Sequence, residues 1–432
     1  MKMLPGDAFI DAIITSHALD ASFQWQQRER ASTAPNYTLS ELSGLDTMLQ
    51  SNLDGLHRAG KLGFDHYREF LDNDDGDAFT LAAVAARIDM SLLEDVIDSL
   101  EDEADDPDIR DGLIAALAWL PFQKASPIID RWKSSADIVR RSIAIGAAIR
   151  QRYDPGTCLA EAALSEDAGL RSLALRGAGE LGRVDLQLHL QRGFKDPDSE
   201  CRYQARRSAL LFRLPGVAGS LIEPMLSGGT RSDDACRLAM YYLPPDASHE
   251  LQQNLSGQDK TVRFAVIGAG ATGDPRYLPW LLQVIEHADY ARVAMDAIIS
   301  ITGVNLEDEN LEGSAPAGFE EGPTDDPDDS DVEVPDDDDI EWPDPTAVQA
   351  WWQDHGRHRF EVGTRYLYGE KRDRAGLRTV LMRGNQRVRT IAAFELAQTH
   401  RERLNTFNTF DTTAPARRQR IVMANNGLIG LG

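Results

Sequence analysis

The stretch GDPRYLPWLLQVIEHADYARVAMDAIISITG, residues 273–303, contains the pattern that decides the fold. Gly273-Asp274-Pro275 ends one helix and begins the next. Apolar residues at helical spacing follow over residues 277–285, and then Asp289 and Arg292 open a second apolar run. The stretch therefore predicts two antiparallel helices joined by a short turn.

The same pattern recurs upstream at intervals of about thirty residues. In each copy an acidic residue stands three or four positions before an arginine. The pairs are Asp137 with Arg140, Asp167 with Arg171, Asp198 with Arg202, Asp234 with Arg237, Asp259 with Arg263, and Asp289 with Arg292. A second ladder of small residues keeps the same phase, in steps of 31, 31, 31, 29 and 29 residues: Gly146, Gly177, Ser208, Ala239, Gly268 and Ala297. This period indicates stacked supersecondary units, most often a helical solenoid.

Both ladders have a physical explanation. A glycine inside a helix costs about 1 kcal/mol relative to alanine, so its recurrence suggests that neighbouring second helices approach closely there. An acid at the start of a helix suits the positive end of the helix dipole and can bind free amides or the arginine of a neighbouring unit. We therefore expect the second helices to stack side by side.

The chain is predicted to have four parts: a helical cap at 1–70, the repeat array at 71–305, a disordered acidic linker at 306–345, and a helical region with one repeat-like unit at 346–432. In the cap, Thr38 and Glu41 have the spacing of a capping box. After them comes one apolar stripe: Leu42, Leu45, Leu49, Leu53 and Leu56. Gly60 is predicted to end this helix.

The charge is unevenly distributed. The formal net charge is −25. Between Asn305 and Thr346 there are 18 acidic residues and no Lys or Arg. The acidic balance argues against nucleic acid as the main ligand. No apolar stretch is long enough to span a membrane, and no signal peptide is recognisable. Three cysteines without a paired framework suggest a reducing compartment and small buried side chains, so the expected location is the cytoplasm.

Two copies of the pattern GxGxxG, at 177–182 and 268–273, resemble a dinucleotide-binding turn. They lie three repeats apart in the same phase and no parallel strands are predicted beside them, so we interpret them as helix-end motifs. His355 and His358 lack a third ligand in a recognised spacing and are interpreted as a solvated helix end. No nucleophile motif is present. The sequence therefore predicts no catalytic residue, cofactor or metal.

The candidate partner-binding residues lie after the acidic linker: Trp351, Trp352, Arg357, Arg359 and Arg365. Tryptophan and arginine are enriched at interface hot spots, although tryptophan is also common in cores. One hypothesis is that the acidic segment folds back on this basic region and screens it until a partner displaces it. The alternative, which we favour, is that the arginines pair locally and the segment stays solvated.

The repeat pattern of Asp-Pro, L-x-x-L-L and D-x-x-(x)-R-x-x-A resembles HEAT repeats, including the short bacterial HEAT-like kind. The whole chain is similar to a family of bacterial HEAT-like-repeat proteins associated with type VI secretion gene clusters. The similarity includes Phe23-Gln24-Trp25, Ile301-Thr302-Gly303 with the acidic insert after it, Trp351-Trp352, and residues 363–369. It implies an all-α superhelix with helical caps at both ends, and a cytoplasmic adaptor or chaperone for a secreted effector or a PAAR-type spike-tip protein.

Two other function classes stay open. An immunity protein would neutralise a toxin, and the acidic segment would suit a basic nuclease surface. An enzyme resembling HEAT-containing bilin lyases would need a reactive site that the sequence does not identify. A non-enzymatic scaffold with a protein partner, and without a nucleic-acid or membrane ligand, is the leading expectation.

Overall fold

A computed structural model describes residues 5–71, 74–100, 106–316, 319, 337–338, 340–399 and 411–425. The described chain is predominantly helical, which confirms the all-α class. It forms two compact units: unit 1 contains 1–33, 37–213 and 397–432, and unit 2 contains 34–36 and 214–396. These units divide the predicted repeat array after residue 213, and the predicted four-part organisation stays a prediction.

Unit 1 begins with two long helices, and the shorter helices that follow them are arranged in pairs. The second helices of these pairs, α3, α5, α7, α9 and α11, pack each against the next, and each of the shorter helices α4, α6, α8 and α10 packs against at least one of them. The helices are α1 (Pro5–Ala31), α2 (Leu39–Tyr67), α3 (Asp75–Ile88), α4 (Met90–Ser99), α5 (Pro107–Trp119), α6 (Phe122–Trp132), α7 (Ile138–Arg150), α8 (Thr157–Ala162), α9 (Ala168–Glu180), α10 (Gln187–Gly193) and α11 (Ser199–Leu211).

The predicted capping box at the start of α2 is present. The Thr38 hydroxyl accepts from the Glu41 amide at 3.4 Å, and the Thr38 amide donates to the Glu41 carboxylate at 2.7 Å. All five leucines of the predicted stripe are buried. Gly60 has φ of 63°, outside the helical range, and interrupts α2 at a kink, after which a second helical stretch runs to Tyr67. The predicted end of the first helical stretch at Gly60 is therefore confirmed.

The acidic ladder supplies helix N-caps in unit 1. Asp137, Asp167 and Asp198 each accept a hydrogen bond from a backbone amide in the first turn of α7, α9 and α11. Asp106 does the same for α5, and Asp74 for α3. Such caps satisfy amides that have no partner inside the helix, and the acid also lies at the favourable end of the dipole. The predicted role of the acids is confirmed here.

The ladder arginines of unit 1 reach neighbouring acids and carbonyls. Arg171 donates two hydrogen bonds of 2.8 Å to Asp196, which lies two residues before the cap of the next second helix. Arg140 pairs with Asp137 and Asp98. Arg202 donates to the carbonyls of residues 196 and 197 at 2.9 Å. These arginines therefore connect each second helix to the loops around it.

The small-residue ladder lies where second helices touch. A Cβ atom built on Gly146 would come within 2.7 Å of the Ile114 side chain, and one built on Gly177 within 2.5 Å of Ile149. Ser208 is buried and donates a hydrogen bond of 2.7 Å to the carbonyl of Leu175 on the preceding second helix. Close approach between helices is thus the reason for small side chains at this phase.

Unit 2 continues the arrangement with second helices α14, α16 and α18, which also pack each against the next. Its helices are α12 (Val217–Ser220), α13 (Ile222–Leu226), α14 (Ser232–Tyr242), α15 (Pro245–Ser256), α16 (Val262–Thr272), α17 (Leu278–Val284), α18 (Ala288–Thr302), α19 (Leu306–Glu309), α20 (Pro345–Trp351), α21 (Arg374–Arg383) and, up to residue 396, α22 (Gln386–Thr399). An antiparallel hairpin pairs β1 (Tyr366–Leu367) with β2 (Glu370–Lys371).

The acids of the ladder are not N-caps in unit 2. Asp234 and Asp289 lie inside the first turn of α14 and α18, whose N-cap residues are Arg231 and His287. Asp259 begins a 3₁₀ turn before α16. The two helices begin earlier than the pattern implies, so these acids act on the helix dipole from inside the first turn.

The hairpin forms backbone hydrogen bonds at the ends of two second helices, where Gly273 and Gly303 lie. The Tyr366 amide donates to the Gly273 carbonyl at 2.8 Å, and the Gly369 amide donates to the Ile301 carbonyl at 3.0 Å. Gly273 and Gly303 both have positive φ, 71° and 66°, in the left-handed region that favours glycine. Both glycines thus end a helix and admit the hairpin backbone.

The described ends of the acidic segment pair with each other. The Gly313 amide donates to the Trp342 carbonyl at 2.7 Å, and the Asp344 amide donates to the Leu311 carbonyl at 2.8 Å. Asp344 then caps α20. Half of the segment predicted to be disordered lies outside the described residues, so its disorder stays a prediction.

Candidate functional site

A segment from the far end of the chain lies on the helices of unit 1. This segment, residues 411–425, is named the tail segment and includes α23 (Ala416–Asn425). Arg418 donates hydrogen bonds to the carbonyls of Ala118 at 2.7 Å and Arg150 at 3.2 Å, which lie at the ends of α5 and α7. A cation suits the carbonyl end of a helix, so one guanidinium caps two second helices.

The backbone of the tail segment is also recognised. The Ala416 amide donates to the Asp46 carboxylate of α2 at 2.5 Å. Arg28, whose side chain is 1% exposed, donates to the other oxygen of Asp46 at 3.0 Å. Ala416 itself is fully buried and Met423 is nearly so. The surface that α1, α2, α5 and α7 present to the tail segment is named the groove.

A charged cluster continues from the groove along α7, α9 and α11. At its centre is Glu180, which is 5% exposed and pairs with three arginines. They are Arg152 at 2.5 Å, Arg176 at 2.8 Å and Arg207 at 3.1 Å. Burial alone would raise the pKa of the Glu180 carboxyl, but the three positive charges outweigh it and hold that pKa well below the usual range. Glu180 is therefore an ionised structural centre.

Arg152 has an unusual backbone conformation for this cluster. Its φ is 57°, in the left-handed region at the end of α7, a position that glycine usually fills. The structure instead places a long side chain there, which reaches Glu180 on the next second helix. The left-handed backbone conformation and the buried ion pair therefore occur at the same residue.

Arg150 connects the cluster with the groove. It donates to Asp111 at 2.5 Å and lies 3.4 Å from Glu29. Burial opposes the charge on Arg150, but these two carboxylates raise the pKa of its guanidinium. The pKa of the buried Asp411 is lowered despite burial, since Arg152 and Arg176 lie near. The acid Asp411 of the tail segment therefore lies close to positive charges on the helices that the segment contacts.

The cavity left between the tail segment and the groove is small. Its volume is about 20 Å³, and Trp25, Trp119 and Pro415 line it. This is room for about one water molecule, whereas sites for cofactor-sized ligands are usually several hundred Å³. An open depression of about 510 Å³ lies elsewhere on unit 1, beside Thr15, His66 and Phe70. The groove is therefore filled by polypeptide.

The predicted partner-binding residues differ in how far they are exposed to solvent. Trp351 and Trp352 are buried, with 6% and 8% exposure, and Trp352 stacks on Phe360. Little of either indole is presented to a partner. Arg357 and Arg359 are exposed. A contact role for these residues stays a prediction, and burial now assigns the two tryptophans to the core of unit 2.

Arg365 lies inside a cap at the end of α14. It donates to the carbonyls of Tyr241 at 3.0 Å and Leu243 at 3.1 Å. Arg372 donates to the same Tyr241 carbonyl at 2.6 Å and to Glu395 at 2.8 Å. Two of the C-terminal arginines are thus engaged within unit 2, and the choice between screening and local pairing stays a prediction.

The two GxGxxG segments end second helices. In the first copy, Gly177 packs on the preceding second helix and Gly179 on the following one, and Gly182 has φ of 67° after α9. In the second copy, Gly268 meets Met240 of α14 and Gly270 meets Ala297 of α18. All three glycine positions have a packing or capping reason, which confirms the helix-end interpretation.

The remaining candidates show no reactive geometry among the described residues. His355 and His358 are exposed. No cluster of three or more His, Cys, Asp or Glu side chains suited to a metal occurs in the described part of the chain. Cys201 and Cys236 are buried, as expected, whereas Cys158 is only partly buried. Burial raises the pKa of the Cys236 thiol to about 12. None of the described helices combines the length and apolar character needed to cross a bilayer.

Comparison with protein-family models, with curated proteins and with solved structures found no match for this chain. The functional conclusion therefore depends on the residues and contacts described above.

Proposed function

We propose that this chain is a HEAT-like α-α superhelix that acts, without catalysis, as a cytoplasmic adaptor or chaperone for a protein partner. In this proposal the partner is a type VI secretion effector or a PAAR-type spike-tip protein. Three features support it: the thirty-residue double ladder, the side-by-side second helices within each unit, and the resemblance of the repeat pattern to bacterial HEAT-like proteins.

The observation that carries the binding role is the tail segment in the groove. The groove holds a polypeptide by a carboxylate for a backbone amide, two helix-end carbonyls for a guanidinium, and an apolar floor. These are the components with which helical-repeat surfaces bind peptide segments of partners. A partner segment of similar chemistry would compete with the tail segment for the same contacts.

Arg418 and its neighbour Arg417 offer a matched test. Arg418→Gln removes the two hydrogen bonds to helix-end carbonyls, whereas Arg417→Gln removes an equal charge from an exposed position. Each variant would be co-expressed with the effectors and spike-tip proteins encoded in the same gene cluster, and complexes would be measured by size exclusion and calorimetry. We expect a one-to-one complex whose affinity rises with Arg418→Gln and stays unchanged with Arg417→Gln.

Three outcomes would count against the proposal. A complex with none of these proteins would overturn the adaptor role. A tight complex with a toxin that abolishes its activity would replace the adaptor by an immunity protein. Equal effects of the two substitutions would remove the groove from the binding site. Hydrogen exchange of the tail segment would show independently that Arg418→Gln had loosened it.

A further inference from the structure

Two ladder arginines of unit 2 bind carboxylates of the acidic segment. Asp337, which is 7% exposed, accepts two hydrogen bonds from Arg263, at 2.5 and 2.9 Å. Paired bonds between guanidinium and carboxylate combine charge with geometric selectivity. The pair joins α16 to a segment 74 residues further along the chain.

The next acid along the segment meets the next repeat. Asp338 lies 3.6 Å from Arg292 on α18, and Arg292 is 8% exposed on its side chain. The Arg292 guanidinium lies 5.0 Å from the centroid of the Trp342 ring, in the range of a cation–π contact. An arginine held over an aromatic ring keeps its planar donors in a fixed direction, which suits the recognition of a carboxylate.

Each part of this arrangement is held by other contacts. Asp233 of α14 accepts a hydrogen bond of 3.0 Å from Arg263 and so helps to orient it. Trp342 is held by the bond from the Gly313 amide to its carbonyl, at 2.7 Å, and by edge contact with Phe319 at 5.1 Å. The arginines and the indole thus form a supported site, with one arginine from each of two consecutive second helices.

The register gives the site its selectivity. Arg263 and Arg292 occupy equivalent positions of consecutive repeats, and neighbouring second helices are expected about 8–10 Å apart. Asp337 and Asp338 are consecutive residues, about 3.8 Å apart at Cα, and the long guanidinium side chains span the difference. An acidic pair that crosses the two helices therefore places one carboxylate on each repeat.

We infer that Arg263, Arg292 and Trp342 form a docking site for an acidic peptide segment of a partner protein, which the chain's own Asp337 and Asp338 occupy when no partner is bound. This inference rests on the proposed protein-binding role. It does not require that the groove binds the partner or that the partner is a type VI secretion protein. The carboxylates of the chain's own segment act at an effective concentration on the order of millimolar, so a free acidic peptide competes poorly until they are removed.

The test measures binding of a fluorescein-labelled octa-aspartate peptide to the full chain by fluorescence anisotropy. Asp337→Asn with Asp338→Asn removes both carboxylates from the site and is expected to raise the affinity for the peptide about tenfold. Adding Arg263→Gln and Arg292→Gln to that background abolishes the gain. Adding Arg374→Gln and Arg383→Gln instead, which removes the same charge from exposed positions of unit 2, leaves the gain in place.

Further variants keep the result interpretable if the glutamine variants unfold. Arg263→Lys with Arg292→Lys retains both charges but loses the paired geometry and the stacking, so most of the gain is expected to disappear. Circular dichroism melts confirm that each variant is folded. The gain is also expected to fall as salt is raised.

The proposal is overturned if removing the two carboxylates leaves the affinity unchanged, or if the Arg374 and Arg383 control loses as much binding as the Arg263 and Arg292 variant. Stronger binding of a single-stranded DNA oligonucleotide of the same charge would reassign the site to a nucleic acid. If the chain binds no secretion protein but the peptide measurements give the expected results, the proposed function is refuted and the docking site is retained.

Discussion

Gly179 and Ser208 lie face to face on α9 and α11, so that a Cβ atom built on Gly179 would come within 2.7 Å of the Ser208 Cα atom. Backbone atoms cannot move aside as the end of a side chain can. The contact therefore requires glycine for space, although Gly179 lies inside a helix, where alanine is intrinsically preferred by about 1 kcal/mol.

Gly179→Ala is expected to destabilise unit 1 by about 1–3 kcal/mol, because overpacking against backbone forces α9 and α11 apart. The measurement is urea unfolding, together with hydrogen exchange of amides in α11. Gly44→Ala is the matched control: Gly44 lies in α2 of the same unit, and in the described part of the chain no atom lies within 4 Å of a Cβ built there. This control should gain up to about 1 kcal/mol from helix propensity. Loss of stability in both variants would contradict the close-contact explanation.

The sequence predicted the local features of the fold well. The capping box of Thr38, the caps at Asp137, Asp167 and Asp198, and the close approach at Gly177 all follow from patterns within one or two repeats. Each depends on helix geometry, which short sequence windows encode. For the same reason the GxGxxG segments could be recognised as helix ends.

The contacts that make the candidate sites were not predictable in this way. Arg418 meets carbonyls 268 and 300 residues away, and nothing in the spacing of either segment marks the partner. Asp337 was expected in a solvated segment, yet it binds a ladder arginine. The burial of Trp351 depends on how unit 2 packs, which residue type alone does not decide.

Glu180→Gln is expected to destabilise unit 1 by about 3 kcal/mol, because removing the acid leaves three arginines close together without their shared counter-charge. Urea unfolding at neutral pH measures the change. Glu161→Gln, at an exposed position on α8, removes the same charge and should change stability by less than about 0.5 kcal/mol. A similar small effect of both substitutions would mean that the cluster contributes little to stability.

The same carboxylate predicts how stability depends on pH. The pKa of Glu180 in the folded chain lies well below the reference value of 4.5, so the unfolded chain binds a proton there first as pH falls. The stabilisation is fully present above about pH 4.5 and is lost as pH falls through the lower folded value. Urea midpoints measured from neutral pH down to about pH 3 should show this decline in the wild type and a shallower one in Glu180→Gln. Equal slopes would exclude Glu180 as the main titrating group.

Gly273 provides the sharpest test of how the hairpin holds unit 2. A Cβ built on Gly273 would lie 1.9 Å from the Tyr366 carbonyl oxygen, and the Tyr366 amide donates to the Gly273 carbonyl. Gly273→Ala is therefore expected to displace the hairpin and to cost about 3 kcal/mol, from left-handed strain plus overpacking. The readouts are urea unfolding and faster hydrogen exchange at the Tyr366 amide.

Gly228→Ala separates these two contributions. Gly228 belongs to the same unit and has φ of 73°, close to the 71° of Gly273, but no atom of the described residues lies within 4 Å of a Cβ built there. Its substitution should cost only the left-handed strain of about 1–2 kcal/mol and leave exchange at Tyr366 unchanged. If the two substitutions destabilised the chain equally, strain alone would account for the loss, and the hairpin contact would not be what requires glycine at position 273.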